Sequence, residues 1–274
     1  MQLGIDIGGT TIGLGLVQDK KIVSKVTVPS FPPEATLEQT LEYLCEKIQS
    51  VITPEVSRIG IGVPTLVDPQ TGIVHDACNI PSWKEVPLKQ YLEDRFWKPV
   101  CVENDANCFI IGAHAMLCPN SRVTVAVTLG TGTGFGILFN GRLFAGANCG
   151  AGEIGSFPYN GGVFENFCSK QFFENRGWGG KEAAQAARAG DPAALALITE
   201  FGEHMGRLLS LVMYAYDPDS IVIGGGIANL HPYFEKPMLE TLRAEYLYGS
   251  SLDRLTVHYL PDGDAALLGA SLLQ

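Results

Sequence analysis

The sequence predicts an α/β fold of two lobes with a duplicated βββαβαβα layout. Short, β-rich runs punctuated by glycine at 3–7, 12–17 and 22–28 predict a meander, which a helix and further strands follow. A second glycine-punctuated meander is predicted from residue 123 to residue 145. The length of 274 residues lies near the size at which single cores divide into domains, so we expect two lobes.

Helices and further strands follow from the spacing of apolar residues. A periodic run of leucine and isoleucine predicts an amphipathic helix over residues 36–52, and Thr36 with Gln39 has the pattern of a capping box. A longer helix is predicted over residues 192–216 and ends before Asp217. The remaining predicted elements are strands at 58–64, 98–103, 220–223 and 255–260 and a closing helix at 265–273.

Composition excludes several classes of partner. The net charge of −10 and the pI near 5.0 disfavour nucleic acids and acidic membrane surfaces, and no basic run is present. No apolar run approaches the roughly 18 residues needed to span a bilayer, and the first residues have no basic segment or cleavage site. We therefore expect a soluble cytoplasmic protein.

Cysteine usage gives no sign of a covalent or zinc framework. The seven cysteines are an odd number and form no CxxC pair. Free cysteine is among the most buried residue types, so most are expected to be buried thiols in a reducing compartment.

Residues 3–17 place a glycine turn with one carboxylate between two strand-like runs. Gly8 and Gly9 lack a Cβ, so the turn can take a positive φ and bring backbone N–H groups close to phosphate oxygens. Thr10 and Thr11 add hydroxyls. The segment predicts a site for ATP with Mg²⁺; an ordinary β-hairpin with a polar turn is the alternative.

The carboxylate of this segment, Asp6, faces the same mouth of the predicted turn. It would repel a polyphosphate unless a divalent cation lay between them. Magnesium usually binds through one or two carboxylates together with substrate phosphates. Asp6 is therefore predicted to organise Mg²⁺, through water.

Three glycine segments together carry a resemblance. Residues 6–10 (Asp-Ile-Gly-Gly-Thr) look like phosphate motif one, residues 129–134 (Leu-Gly-Thr-Gly-Thr-Gly) like phosphate motif two, and residues 223–227 (Ile-Gly-Gly-Gly-Ile) like the adenosine motif of the actin-like sugar kinases and Hsp70 ATPases. The resemblance implies the actin-like, ribonuclease H-like ATPase fold. It assigns phosphate contacts to Gly8, Gly9, Thr10, Thr11, Thr131 and Gly132, and adenosine contacts to Gly225 and Gly226.

Further segments resemble the sugar-site motifs of the ROK family, named for repressors, open reading frames and kinases. They are residues 60–64, 79–83, 103–107 and 146–155. The resemblance implies a glucokinase-like sugar kinase that uses ATP and Mg²⁺, and it favours a homodimer. The lobes are then expected at 1–104 with 263–274 (small) and at 105–262 (large).

Asp105 follows a predicted strand and is expected to lie exposed at the start of a helix. Phosphoryl transfer needs a group that accepts the alcohol proton, and the family likeness makes Asp105 that general base, with Asn104 bound to neighbouring sugar hydroxyls. The alternative is that the Asn-Asp pair only caps the helix.

Other candidate sugar contacts are a set of polar side chains. Glu153 lies in a glycine-rich, apolar segment where a carboxylate needs donors, which sugar hydroxyls would supply; a loop carboxylate satisfied by the protein is the alternative. The family likeness adds Glu165 and Asn79. Trp83 either lines this pocket or packs beneath the loop.

The chain departs from the family after Glu153. Ser156 stands where many members have a histidine, and residues 154–164 contain neither Cys nor His, so no structural zinc is predicted. Aromatic side chains are expected to pack the shortened loop instead: Phe157, Tyr159, Phe164 and Phe167. In the family the histidine side chain lies near the anomeric end of the sugar, so Ser156 implies a smaller, differently donating surface there. The substrate can then be glucose, another hexose or an N-acetylhexosamine.

The leading hypothesis is an ATP-dependent kinase for a hexose hydroxyl, the 6-hydroxyl of glucose or a related hexose, with N-acetylhexosamine or fructose kinase as alternatives. A sugar-sensing regulator is disfavoured because no helix-turn-helix pattern precedes Asp6 and the chain is acidic. An actin-like ATPase without a sugar substrate would not need Asp105 or Glu153.

Overall fold

The structure is a computed structural model that describes residues 1–68, 70–77, 79–147, 149–261 and 263–274. Two residues of predicted segments, Asn148 in the 146–155 motif and Asp262 at the predicted lobe boundary, fall outside the described residues. The strands are β1 (Gln2–Ile7), β2 (Thr11–Gln18), β3 (Lys21–Pro29), β4 (Arg58–Val63), β5 (Val74–His75), β6 (Glu85–Val86), β7 (Val100–Asn104), β8 (Val123–Leu129), β9 (Thr133–Phe139), β10 (Arg142–Leu143), β11 (Pro158–Tyr159), β12 (Gly162–Val163), β13 (Ser220–Gly224) and β14 (Thr256–Leu260). The helices are α1 (Leu37–Val51), α2 (Leu88–Phe96), α3 (Asp105–Leu117), α4 (Glu165–Cys168), α5 (Lys170–Glu174), α6 (Gly180–Arg188), α7 (Pro192–Tyr216), α8 (His231–Glu245), α9 (Gly249–Leu252) and α10 (Ala265–Leu272), with short 3₁₀ helices at Glu153–Ser156 and Gly226–Leu230.

Internal contacts divide the chain into two compact units. The first comprises residues 1–119, 143–151 and 264–274, and the second comprises residues 120–142 and 152–263. Helix α3 falls in the first unit because it packs against α10. The lobe boundaries expected from the sequence, 1–104 with 263–274 and 105–262, stay a prediction.

The first unit is built on a five-stranded sheet in the order β3-β2-β1-β4-β7. Strand β1 pairs antiparallel with β2 and parallel with β4, and β4 continues in parallel to β7. Helix α1 covers this sheet with an apolar face that includes Leu44 and Ile48. Its predicted capping box is confirmed, because Gln39 N donates to Thr36 Oγ1 and Thr36 N donates to Gln39 Oε1.

Helix α10 lies very close to the strands of the first unit. A Cβ on Gly4 of β1 would overlap the carbonyl oxygen of Leu267, and a Cβ on Gly60 of β4 would overlap that of Ala270. Only glycine at these positions lets the helix backbone approach the sheet so closely. The glycines predicted to punctuate these strands thus set the distance between layers.

The second unit repeats the topology of the first. Its sheet has the order β10-β9-β8-β13-β14, with β8, β13 and β14 parallel and β9 antiparallel to β8. Helices α7 and α8 pack through Gly202 and Gly206, which lie against the backbone of Phe234 and Met238. The matching strand order confirms the predicted duplication.

The bounds of the predicted elements agree with the sequence prediction to within two residues, and the second meander ends earlier than predicted. Helix α7 spans the predicted residues, whereas β10 ends at Leu143 instead of residue 145. The following residues leave the sheet, with Phe144 44% exposed and Gly146 at a φ of 79°. Among the described residues, no helix is both long and apolar enough to cross a membrane.

Candidate functional site

The turn between β1 and β2 is held by its own backbone and by a serine. Gly8 N donates to Thr11 O at 2.9 Å, and Ser30 Oγ donates to Gly8 O at 2.8 Å. Neither Gly8 nor Gly9 has a positive φ, so the turn does not use the left-handed conformation that glycine permits. Gly9 and Thr10 are exposed at the tip, and a Cβ on Gly8 would stand 3.1 Å from Thr11 O, closer than most side chains allow.

Asn79 lies over this turn. A Cβ on Gly9 would stand 3.5 Å from Asn79 Nδ2, at ordinary van der Waals distance. The structure therefore brings a predicted sugar residue, Asn79, next to a predicted phosphate residue, Gly9, within the first unit.

Asp6 is the penultimate residue of β1, just before this tip, and it is half-buried. Its backbone lies opposite Gly13 of β2 and Gly62 of β4. Burial raises the pKa of Asp6 to about 6, with Lys25 opposing and Asp264 adding to the rise. Lys25 and Asp264 form an ion pair. Sequence analysis missed both residues, because nothing in their spacing links β3 to the start of α10.

The donor set around Asp6 fits a magnesium ion bound chiefly by water and phosphate. No hydrogen bond to the Asp6 carboxylate is found in the described part of the chain. The described residues also contain no group of three or more His, Cys, Asp or Glu side chains placed to hold a metal. A single carboxylate without protein donors suits Mg²⁺, which keeps several waters and is often bound through one carboxylate and substrate phosphates.

The junction of β7 and α3 positions Asn104 and Asp105. Asn104 is the N-cap of α3, since its Oδ1 accepts from Ala106 N at 2.9 Å and from Asn107 N at 3.2 Å. Its Nδ2 donates to Thr65 O at 3.2 Å. Asn104 therefore caps the helix, as the alternative interpretation of the Asn-Asp pair predicts. One N–H of its side-chain amide remains available to a ligand.

Asp105 is the first residue of α3 and is half-buried, not exposed as expected from the sequence. The end of the strand lies within the fold, so the side chain is partly desolvated. Burial raises the pKa of Asp105 to about 7, and the charge of Asp6 adds to that rise. A carboxyl with this pKa can exchange a proton near neutral pH, as a general base must.

Beneath these residues lies a buried carboxylate that the sequence analysis did not single out. Glu103 Oε1 accepts from Asn104 N at 2.9 Å and from Asn107 Nδ2 at 3.0 Å. Both Glu103 and Asn107 are buried. The signal was available, because Glu103 follows three apolar residues of β7 and its partner follows at i+4.

The turn between β8 and β9 forms the corresponding feature of the second unit. Gly130 N donates to Gly132 O at 3.0 Å, and Thr133 N donates to Glu165 Oε2 at 2.9 Å. In the part of the chain that the structure describes, the N–H groups of Thr131 and Gly132 have no partner. These two residues are the predicted phosphate contacts, and their free donors fit that role.

The end of β13 forms the predicted adenosine segment. Gly225 has a φ of 84°, and a Cβ there would overlap the backbone of Leu129. Gly226 has no atom within 4 Å of its Cβ position, so open space lies beside it. A flat ring can approach the backbone at Gly226 without displacing protein atoms.

Glu153 and Ser156 are the two ends of a 3₁₀ helix, and both side chains are exposed. Gly152 precedes them with a φ of 99° and fits against Phe135 O. No hydrogen bond of the Glu153 carboxylate is present among the described residues, so the alternative of a satisfied loop carboxylate gains no support.

The loop that replaces the family's cysteine cluster is packed by aromatic rings. Tyr159 stacks on Phe164 with centroids 4.2 Å apart and meets Phe167 edge-on at 5.2 Å. Tyr159 Oη also lies 2.8 Å from His204 Nδ1. Phe157 differs from the expectation, being 52% exposed. The absence of structural zinc stays a prediction.

Trp83 belongs to the core of the first unit. Its side chain is fully buried, and Nε1 donates to Thr40 Oγ1 at 2.8 Å. Phe31 packs on the indole with centroids 5.5 Å apart. Of the two alternatives, packing beneath the loop is correct for Trp83.

Comparisons with known proteins agree with the motifs. The ROK family profile matches residues 2–274. The glucokinase of Thermotoga maritima is 31% identical over 306 residues, 98% of this chain and 95% of the relative. The N-acetyl-D-glucosamine kinase of Vibrio cholerae is 28% identical over 266 residues, 86% of this chain and 87% of the relative.

A solved structure shows the same fold. The ROK family glucokinase from Streptomyces griseus in complex with glucose and AMPPNP superposes with a TM-score of 0.81 and 28% identity, over 98% of this chain and 97% of that chain. The predicted actin-like ATPase fold is thereby confirmed, and the similar proteins support a sugar kinase. Because the family profile matches almost the whole length of the chain, the chain belongs to the ROK family.

Proposed function

We propose that this protein is an ATP-dependent hexose kinase that phosphorylates the 6-hydroxyl of glucose or a related hexose. The observation that carries the proposal is the state of Asp105, a half-buried carboxyl at the start of α3 whose pKa is raised to about 7. An ordinary helix-capping aspartate would be ionised and solvated. Asp105 belongs to the same unit as the turn at residues 8–11, to which we assign phosphate contacts.

The proposed reaction is direct transfer of the γ-phosphoryl group. Asp105 accepts the proton of the sugar hydroxyl while the hydroxyl oxygen forms a bond to the γ-phosphorus. The bond between that phosphorus and the β,γ-bridging oxygen breaks, and its electron pair leaves with ADP. The proton on Asp105 then returns to solvent, so the base is restored.

Residues on both units are assigned to the nucleotide. In the first unit, the tip at Gly8, Gly9, Thr10 and Thr11 would donate to phosphate oxygens, and Asp6 would hold Mg²⁺ through water. Bound magnesium neutralises charge on the phosphates. In the second unit, Thr131 and Gly132 would contact phosphate and Gly225 and Gly226 would approach adenosine.

We assign sugar binding to polar side chains that can offer hydrogen-bond donors or acceptors to sugar hydroxyls. They are Asn79, Asn104, Glu153, Ser156 and Glu165. N-Acetylhexosamine is the second candidate substrate, since relatives include N-acetyl-D-glucosamine kinases and Ser156 leaves a smaller wall than histidine. Fructose remains the third.

Assembly and location complete the proposal. We propose a homodimer, which sedimentation at micromolar concentration tests, and a cytoplasmic location, where ATP is supplied. Neither affects the chemistry assigned to Asp105.

A panel of hexoses and N-acetylhexosamines, scored by ADP release with Mg-ATP, tests the function directly. Glucose or a related hexose should give the highest kcat/KM, and nuclear magnetic resonance of the product should locate the phosphate on the 6-oxygen. A preference for N-acetylglucosamine would select the second candidate. Absence of turnover on every sugar would reject a sugar kinase.

A further inference from the structure

The segment from Glu165 to Lys170 is fastened to the turn at residues 130–133. Glu165 Oε2 accepts from Thr133 N at 2.9 Å. Thr133 Oγ1 donates to Cys168 O at 2.9 Å, and Lys170 N donates to Gly130 O at 2.9 Å. These hydrogen bonds connect both ends of the turn to α4 and to the start of α5.

The Glu165 carboxylate is the only one of these groups that also has a predicted ligand. Oε2 points into the space beside the turn, 2.5 Å from the position of a Cβ on Gly132. Oε1 lies 3.8 Å from that position, and no hydrogen bond to it is found within the described ranges. One oxygen therefore holds the turn while the other remains open to a donor such as a sugar hydroxyl.

We propose that Glu165 is a positioning residue for the nucleotide as well as a sugar contact. By fixing the N–H of Thr133, it closes the turn so that the N–H groups of Thr131 and Gly132 stay directed outward. A preformed set of donors binds an anion more tightly than one that must be ordered on binding. The inference rests on the proposed function, because it takes the turn at 130–133 to hold phosphate.

A consequence is that the two substrates share one carboxylate. A sugar hydroxyl that binds Oε1 restricts the rotation of Glu165 and so stabilises its bond to Thr133. Sugar should then raise nucleotide affinity in the wild-type protein, and by linkage nucleotide should raise sugar affinity by the same factor. A residue that contacted sugar alone would produce no such effect.

The test measures binding of Mg-AMPPNP by calorimetry in the absence of sugar. Glu165→Ala should weaken binding about tenfold, because the turn loses the charge-assisted hydrogen bond that holds Thr133 N. Glu165→Gln retains an acceptor oxygen for Thr133 N and loses the negative charge, so its affinity should match that of the wild type or exceed it. Sugar affinity should fall in both variants.

Two matched controls separate this role from others. Glu153→Gln removes the other predicted sugar carboxylate and should weaken sugar binding while leaving sugar-free nucleotide binding unchanged. Glu174→Ala removes an exposed carboxylate on α5, paired with Lys170 at 2.7 Å, and should change neither affinity.

A change of less than about threefold for Glu165→Ala, in a variant with wild-type circular dichroism, would overturn the inference. So would equal weakening by Glu165→Gln, since the retained acceptor would then be irrelevant. The test of the proposed kinase activity is independent of this result. Kinase activity is judged by turnover with sugar, whereas the nucleotide affinity here is measured without sugar.

Discussion

The buried carboxylate of Glu103 accepts a hydrogen bond from the side-chain amide of Asn107, 3.0 Å away across the junction of β7 and α3. The same oxygen accepts the backbone N–H of Asn104. This pair fixes the first turn of the helix that begins with Asp105.

Replacing Glu103 with alanine should therefore reduce both stability and activity. The buried donor of Asn107 would lose its acceptor, which costs about 1–3 kcal/mol. Urea denaturation should show this loss, and kcat should fall with little change in the KM for ATP. Glu103→Gln, which keeps an acceptor oxygen, should recover part of both; equal loss in the two variants would contradict the role assigned to the hydrogen bonds.

Asp105→Asn should lower kcat by about two to four orders of magnitude, the usual contribution of a general base. Binding of Mg-AMPPNP should remain near the wild-type value, because Asp105 is assigned to the sugar hydroxyl. Asp94→Asn on α2 is the matched control, since Asp94 is exposed and bonded to Gln90. Turnover preserved in Asp105→Asn would remove Asp105 as the base.

The rate should depend on the protonation of Asp105. Because its pKa is raised to about 7 and the base must be ionised, kcat/KM should rise with pH below neutrality and level off above it. The slope at acidic pH should approach tenfold per pH unit, as for about one essential proton. Initial rates at saturating Mg²⁺ over a pH series, with stability checked at each point, measure the profile; a flat profile through pH 6–8 would count against this assignment.

The free energy of unfolding should depend on pH in the opposite direction and decrease as pH rises. The pKa values of Asp6 and Asp105 are raised to about 6 and about 7 from 3.8, so the native chain holds protons that the unfolded chain has released. This contribution is complete below the unfolded pKa and disappears as pH rises through the folded values. Asp105→Asn removes one such group, so its stability relative to wild type should increase from about pH 4 to about pH 7. Chemical denaturation without ligands measures the difference.

Gly225 and Gly226 offer a contrast between strain and open space. Gly225→Ala would place a Cβ against Leu129 at a φ of 84°, so both stability and nucleotide binding should be lost in large part. Gly226→Ala meets no protein atom and should leave the melting temperature nearly unchanged. If adenosine approaches Gly226, Gly226→Ala should nevertheless bind Mg-AMPPNP more weakly than the wild type. Unaltered affinity would contradict the assignment of Gly226 to the adenosine site.

Local chemistry made much of the fold predictable. The capping box of Thr36 and Gln39 and the helical period of α7 are set by neighbours in sequence, so their bounds follow from the sequence. The strand order follows from the duplicated layout. The shorter β10 does not, since leaving the sheet at Phe144 depends on packing around Gly146.

The candidate site was less predictable because its contacts join distant residues. Thr133 and Glu165 are 32 positions apart, and Lys25 and Asp264 are 239 apart. Neither pair leaves a periodic signal. The sequence also left the conformation of Gly8 and Gly9 open, because a missing Cβ permits positive φ without requiring it.

The glycine contacts of α10 have a consequence for synthesis on the ribosome. Strands β1 and β4 appear early, yet the helix that fits against Gly4 and Gly60 is translated after every strand of both sheets. The second unit lies almost wholly within residues 120–263 and can acquire its contacts first. Nascent chains should therefore protect the second unit from protease before the first, although the strands of the first unit's sheet are translated earlier.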